Sequence, residues 1–205
     1  MSSLIADPTY SNLKTAIAGW LHRADLTSAI PDFIGIGEQR MNNDCKARDM
    51  ETTTTLTTSA GTATVATPTD LVETRRITLT TDPYTVLAYW APEKFAKDFP
   101  ASWTGTPQAY TSYGGYYQIG PLPDATYTLS LVYAQRIPAL SDTNTTNWLL
   151  TKWPYAYLYA SLVSSAPYLR DDARIATWEA MYQQAMKDIN SIDWFSGNTP
   201  RVRAA

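Results

Sequence analysis

The spacing of apolar residues changes character twice along the chain, and that constrains the fold more than any other feature. From Thr9 onward, Leu13, Ile17, Trp20 and Leu21 recur at i, i+4, i+7 and i+8, one face of a helix that Thr9 can cap. After Arg23-Ala24-Asp25-Leu26, Thr27 or Ser28 can open a second helix. Pro31 is tolerable there because first-turn amides have no intrahelical acceptor to lose. Phe33, Ile34, Gly37, Met41 and Cys45 continue its apolar stripe, which places Glu38 and Arg40 elsewhere on the surface. From Glu51 the helical period is gone.

Residues 52–58 are β-branched, and Ser59-Ala60-Gly61 reads as a turn before residues 62–66. Pro68-Thr69-Asp70 breaks the chain again, and Arg76-Ile77-Thr78-Leu79-Thr80 alternates as a strand with one buried face. Asp82-Pro83 leads into a strand over 84–90, and residues 92–99 suit a short helix. Residues 108–113 and 116–119 flank a Gly114-Gly115 turn, a hairpin signal. The clearest strand is T-Y-T-L-S-L-V-Y at 126–133.

Helical spacing returns at Asn147, with Pro154 suited to a first turn and a stripe of Tyr155, Leu158, Tyr159, Leu162 and Ala166. Pro167 should kink or stop that helix. Asp171 or Asp172 then begins a last helix, whose Ile175, Trp178, Tyr182, Ala185, Ile189 and Ile192 alternate spacings of three and four, a heptad seam. Each helical pair has a stripe too narrow to fold alone, so the economical solution packs the pairs together. The expected class is α+β: an antiparallel helical bundle from residues 1–50 and 146–195, with a small antiparallel β-sandwich or open barrel at 51–145. Residues 196–205, with Gly197 and Pro200, read as an extended C-terminal arm.

Composition narrows function by exclusion. Hydrophobic residues at 44% and charged residues at 17% describe a globular chain, and a net charge of -3 argues against tight DNA binding. The opening MSSLIADPTYSN has no basic region or apolar core of a signal peptide, and no apolar run suits a bilayer, so a soluble protein made in a cytoplasm is expected. Cys45 is the single cysteine and His22 the single histidine. A metal site or a nucleophile–histidine pair therefore has almost nothing to draw on, and His22 suits a helix C-terminal turn. Gly114-Gly115 lacks the lysine and helix of a phosphate cradle, and Asp171-Asp172 suits helix capping better than paired acids. Asn144-Thr145-Thr146 is a sequon by pattern only. No enzyme activity, cofactor or metal is expected. The 14 tyrosines stand out, with Tyr110, Tyr113, Tyr116 and Tyr117 grouped around the hairpin turn. They could stack on sugars or bases, making the chain a receptor or carbohydrate-binding module. Without interleaved basic residues they suit alternate roles in a core and against a neighbouring subunit better.

The run Thr9-Tyr10-Ser11-Asn12-Leu13, Ile17 through Leu26, Ile30-Pro31-Asp32-Phe33-Ile34, Glu38 and Arg48-Asp49-Met50-Glu51 resembles the opening of a tailed-phage head-to-tail connector adaptor family. Further matches are Gly105-Thr106-Pro107 with Tyr110, Gly120-Pro121-Leu122-Pro123-Asp124 with the following strand, Thr146-Asn147-Trp148-Leu149-Leu150, and Pro154 through Tyr159. Cys45-Lys46 departs from the Leu-Arg more usual there, and Pro167 interrupts what the pattern makes continuous helix. The resemblance implies a ring of twelve subunits in the virion neck, docked on the portal protein and receiving a tail or nozzle protein. Genomic DNA would pass its lumen without sequence-specific binding. It also implies a portal contact for the arm, where Pro200, Arg201, Val202 and Arg203 offer charged donors around one apolar anchor.

Overall fold

The computed structural model describes residues 4–23, 25–81, 84–169 and 173–192. The chain divides into two compact units, Met1–Asp49 with Ile137–Ala205, and Met50–Arg136. One is helical and the other is built of strands, an α+β protein.

In the helical unit, α1 (Tyr10–Leu21) is capped by Thr9, whose hydroxyl accepts the Asn12 N–H. Leu13, Ile17 and Leu21 are buried at i, i+4 and i+8 together with Tyr10. Trp20, expected on that face, is instead 42% exposed. It lies one residue, or about 100° of helix rotation, from Leu21, and its ring rests edge-on against Tyr159 at 6.0 Å. His22 ends the helix in the left-handed region (φ 53°), its N–H donating to the Ala18 carbonyl.

Helix α2 (Ile30–Asp44) starts later than Thr27 or Ser28, with Ala29 as N-cap and Pro31 in the first turn. The Leu26 carbonyl accepts the N–H groups of Ala29 and Ile30, so a backbone turn over the buried Leu26 leads into the helix without a side-chain cap. Helix α3 (Pro92–Asp98) belongs to the β unit. In the helical unit α4 (Trp148–Lys152) follows, capped by the Asn147 side chain, then α5 (Pro154–Ser164), with Pro154 in its first turn. Helix α5 ends before Pro167, which lies in a short 3-10 turn.

Helix α5 is the centre of this unit, packing against α1, α2 and α6 (Arg174–Ile192). Its buried residues therefore run around the helix: Ala156, Tyr157, Leu158, Ala160, Ser161 and Leu162. The expected stripe is corrected accordingly, since Tyr155, Tyr159 and Ala166 are only half-buried. At the α2–α5 crossing, a Cβ on Gly37 would stand 3.2 Å from the Ala160 carbonyl carbon, so glycine permits the approach. On α6, Trp178, Tyr182, Ala185 and Ile189 are buried along the heptad seam, joined by Met186, while Ile175 is half-buried. Asp171, Asp172, the Ile192 side chain and the arm 196–205 lie outside the described residues.

The β unit carries β1 (Glu51–Thr57), β2 (Thr64–Ala66), β3 (Leu71–Leu79), β4 (Thr85–Val86), β5 (Ala88–Tyr89), β6 (Thr104–Gly105), β7 (Ala109–Tyr113), β8 (Tyr116–Gly120), β9 (Leu122–Pro123) and β10 (Thr128–Gln135). Two four-stranded sheets form, in the orders β1-β10-β3-β4 and β2-β8-β7-β5, with β6 and β9 as a separate parallel pair. The first is antiparallel throughout, and the second is antiparallel except for β5 against β7. Residues 84–90 are two strands rather than the expected one. The chain crosses from the first sheet to the second at Leu87, whose buried side chain joins a core of Leu56, Ile77, Leu79, Leu129 and Leu131 with Tyr110, Tyr117 and Ile119. Gly114 and Gly115 both have positive φ (58° and 80°), which the tight turn between β7 and β8 requires.

Candidate functional site

The strongest concentration of buried polar chemistry is in the helical unit, around Glu38. This residue lies four positions after Ile34 and three before Met41, on the apolar side of α2, and is only 7% exposed. The sequence expectation of a surface position is overturned, and the same helical spacing was the signal that placed it inside. Its Oε1 accepts the Leu140 N–H (2.8 Å) and the Tyr157 hydroxyl (3.2 Å). The Asn147 amide nitrogen donates to Tyr157 Oη (2.5 Å) and to the Pro138 carbonyl, while its Oδ1 accepts the Leu150 N–H. Asn147 thus caps α4 and holds residues 138–147 against α5 in one stroke. Burial pushes the Glu38 carboxyl above its ordinary range, against the pull of its two donors. Burial first, and the neighbouring Glu38 second, push the Tyr157 phenol far up.

The polar contacts of this constellation are internal to the helical unit. Glu38 fixes the segment that returns to the helices, together with the Ile137 N–H on Asn42 Oδ1 and the Tyr10 N–H on the Thr145 carbonyl. A second cluster ties α2 to α6: the Arg40 guanidinium donates to both Glu179 oxygens (2.8 and 2.6 Å) and stacks 4.3 Å over the Tyr182 ring. The Tyr182 hydroxyl donates to Asp44 Oδ2 at 2.7 Å. Arg40 holds the Glu179 carboxyl below its usual range. Both clusters join helices. His22 is exposed at the end of α1, and Cys45 is buried. Among the described residues no group of three or more His, Cys, Asp or Glu is placed to hold a metal ion.

The four hairpin tyrosines separate by strand alternation. Ser112 faces Tyr117 and Tyr110 faces Ile119 across β7 and β8, so Tyr110 and Tyr117 share the core face, with rings edge-on at 5.8 Å. Burial raises both phenols, and the Tyr117 hydroxyl pairs with Thr74 Oγ1 at 2.6 Å. These two rings fill the sandwich and offer a partner little surface. Tyr113 and Tyr116 are cross-strand neighbours on the opposite face, each 50% exposed. Near α3, Trp103 stacks on Phe99 at 5.2 Å, and the Lys94 ammonium lies 3.9 Å over Trp90. A groove of about 510 Å³ is lined by Thr67, Pro68, Thr69, Leu71, Ser112 and Gly115. Its lining holds hydroxyls and no titratable side chain. Pro200, Arg201, Val202 and Arg203 lie outside the described residues.

A family model described as SU10 adaptor protein matches residues 8–203, nearly the whole chain and both units. The chain belongs to the SU10 adaptor protein family. Compared with curated proteins, it has no match. The SU10 adaptor family is a phage adaptor family, structural rather than enzymatic. Among the described residues, no helix is long and apolar enough to cross a membrane.

Proposed function

We propose that the chain is one of twelve subunits of a ring in the neck of a phage particle, which joins the portal to a tail or nozzle protein around the DNA channel. The observation that carries this reading is the family match across residues 8–203, which takes in both compact units and reaches the arm. A ring needs a heterologous contact whose rotation closes, and two independently cored units give each subunit separate surfaces for neighbours and for partners. The half-exposed Tyr113 and Tyr116 are suited to such a contact, as aromatic bodies with polar tips. With 16 Lys and Arg against 19 Asp and Glu, the chain has no excess of cations to hold DNA phosphates. That agrees with passage rather than retention of the genome.

In this reading Pro200, Arg201, Val202 and Arg203 contact the portal, two guanidinium groups around one apolar side chain. Electron microscopy of the protein mixed with its cognate portal tests it. Twelve-fold density capping one end of the portal is the expected result, and truncation of residues 196–205 should weaken co-sedimentation with portal rings while leaving far-UV circular dichroism unchanged. Portals left bare by the full-length protein refute the function. Undiminished binding of the truncated protein removes the arm from it.

A further inference from the structure

We propose that the outer edge of β1 is a self-association surface, on which β1 of a second copy lies antiparallel to continue the sheet. In the order β1-β10-β3-β4, β1 has a single neighbour, and its seven residues pair with β10 without a register shift. The other outermost strands of the two large sheets are far shorter, with β2 of three residues and β4 and β5 of two each.

The direction of the backbone groups follows from the pairing. The Thr58 N–H donates to the Tyr127 carbonyl at 3.0 Å, so in the antiparallel alternation Leu56, Thr54 and Thr52 exchange bonds with β10. The opposite parity on β10 agrees, because the Thr128 carbonyl accepts the Thr80 N–H on the β3 side. The N–H and C=O groups of Thr53, Thr55 and Thr57 therefore point away from the sheet. All three residues are exposed, and no described residue takes those groups.

Edges of this length are ordinarily blunted by lysine, proline or a bulge. Strand β1 has none of these, and its one charge, Glu51, pairs with Arg75 at 3.2 Å. The sequence E-T-T-T-T-L-T also identifies the occupant. Two copies centred on Thr54 overlap along all seven residues, with Thr53 opposite Thr55, Thr52 opposite Leu56 and Glu51 opposite Thr57. Threonine pairs across strands are favourable, and no like charges meet. A charged foreign strand would find no complementary charge along this edge, so a second copy is the better fit.

The strength can be bounded. Seven residues at ~3.3 Å each span about 23 Å, too small a contact for the ~1,200–2,000 Å² that stable interfaces bury. The dimer is therefore weak, with dissociation on the order of tens to hundreds of micromolar.

Sedimentation equilibrium of the full-length protein, without portal, from about 5 to 500 µM tests the proposal. Thr55→Pro removes an outward N–H and spares the bonds to β10, a substitution that edge strands tolerate. A second variant, Thr53→Lys with Thr55→Lys, leaves the ladder intact, sets lysines opposite one another in a dimer and solvates them in a monomer. The wild type should dimerise reversibly, with both variants at least about tenfold weaker and unchanged in circular dichroism. If Thr55→Pro misfolds, the double lysine variant decides alone. A wild type that shows no monomer–dimer step across this range, or a dimer as tight in the double lysine variant as in the wild type, overturns the proposal.

Discussion

Replacing Trp178 with alanine tests whether the heptad seam of α6 is core or contact surface. The indole is 3% exposed, on the same face as the buried Tyr182, Ala185 and Ile189, and the Arg174 guanidinium lies 5.0 Å over its ring. Truncating a buried Trp to Ala removes transfer free energy and leaves a cavity, together about 3–5 kcal/mol. The exposed cation–π contact adds only ~0.5–1 kcal/mol, so packing dominates. With a urea dependence of roughly 2 kcal/mol/M, the midpoint should fall by about 1.5–2.5 M. Circular dichroism at 222 nm follows this change because it reports mainly on the helical unit. Met181→Ala, at a position 40% exposed on the same helix, should barely move the midpoint. A Trp178→Ala midpoint within ~0.5 M of wild type at unchanged slope would refute the reasoning, because the seam would then not be packed in the free subunit.

Two further outcomes follow from the helical unit. Burial raises the Glu38 carboxyl, so the folded chain holds this proton more tightly than the unfolded chain. Its stabilising contribution is fully present below the unfolded value of about 4.3 and is lost as pH rises through the raised folded value. Glu38→Gln should flatten that part of the stability-against-pH curve. Glu179, held low by Arg40, contributes with the opposite sign in both proteins and cancels in the comparison. Parallel curves for the two proteins would contradict the assignment. Gly37→Leu should destabilise by about 1–3 kcal/mol or more, since the side chain must enter the backbone of α5 at Ala160. Calorimetry showing an undiminished melting temperature would mean that α2 and α5 do not cross this closely.

The α+β class, the helices at both ends, the Thr9 cap, the glycine turn between two strands and the α6 seam were all legible from residue order. Each depends on residues within a few positions of one another, where steric rules and apolar spacing act directly. The family was legible too, because its motifs recur in order along most of the chain. Other features depended on neighbours remote in sequence. Helix spacing marks the face toward one neighbour, but α5 has three, so Tyr157 and Ala160 are buried where a single stripe left them out. Spacing from Ile34 and Met41 put Glu38 on the apolar side of α2, but the groups that receive its carboxylate there, the Leu140 N–H 102 positions away and the Tyr157 hydroxyl, came only with the fold. The division of residues 84–90 between two sheets was likewise set by β3 and β7, since a short β-prone segment carries no mark of which edge it joins. Tyr110 and Tyr117 went inside while Tyr113 and Tyr116 stayed out because the tight turn set the register of the hairpin, and a shift of one residue would have exchanged the pairs. Local order thus specified which elements form, whereas burial and register awaited the partners that only the folded chain brings together.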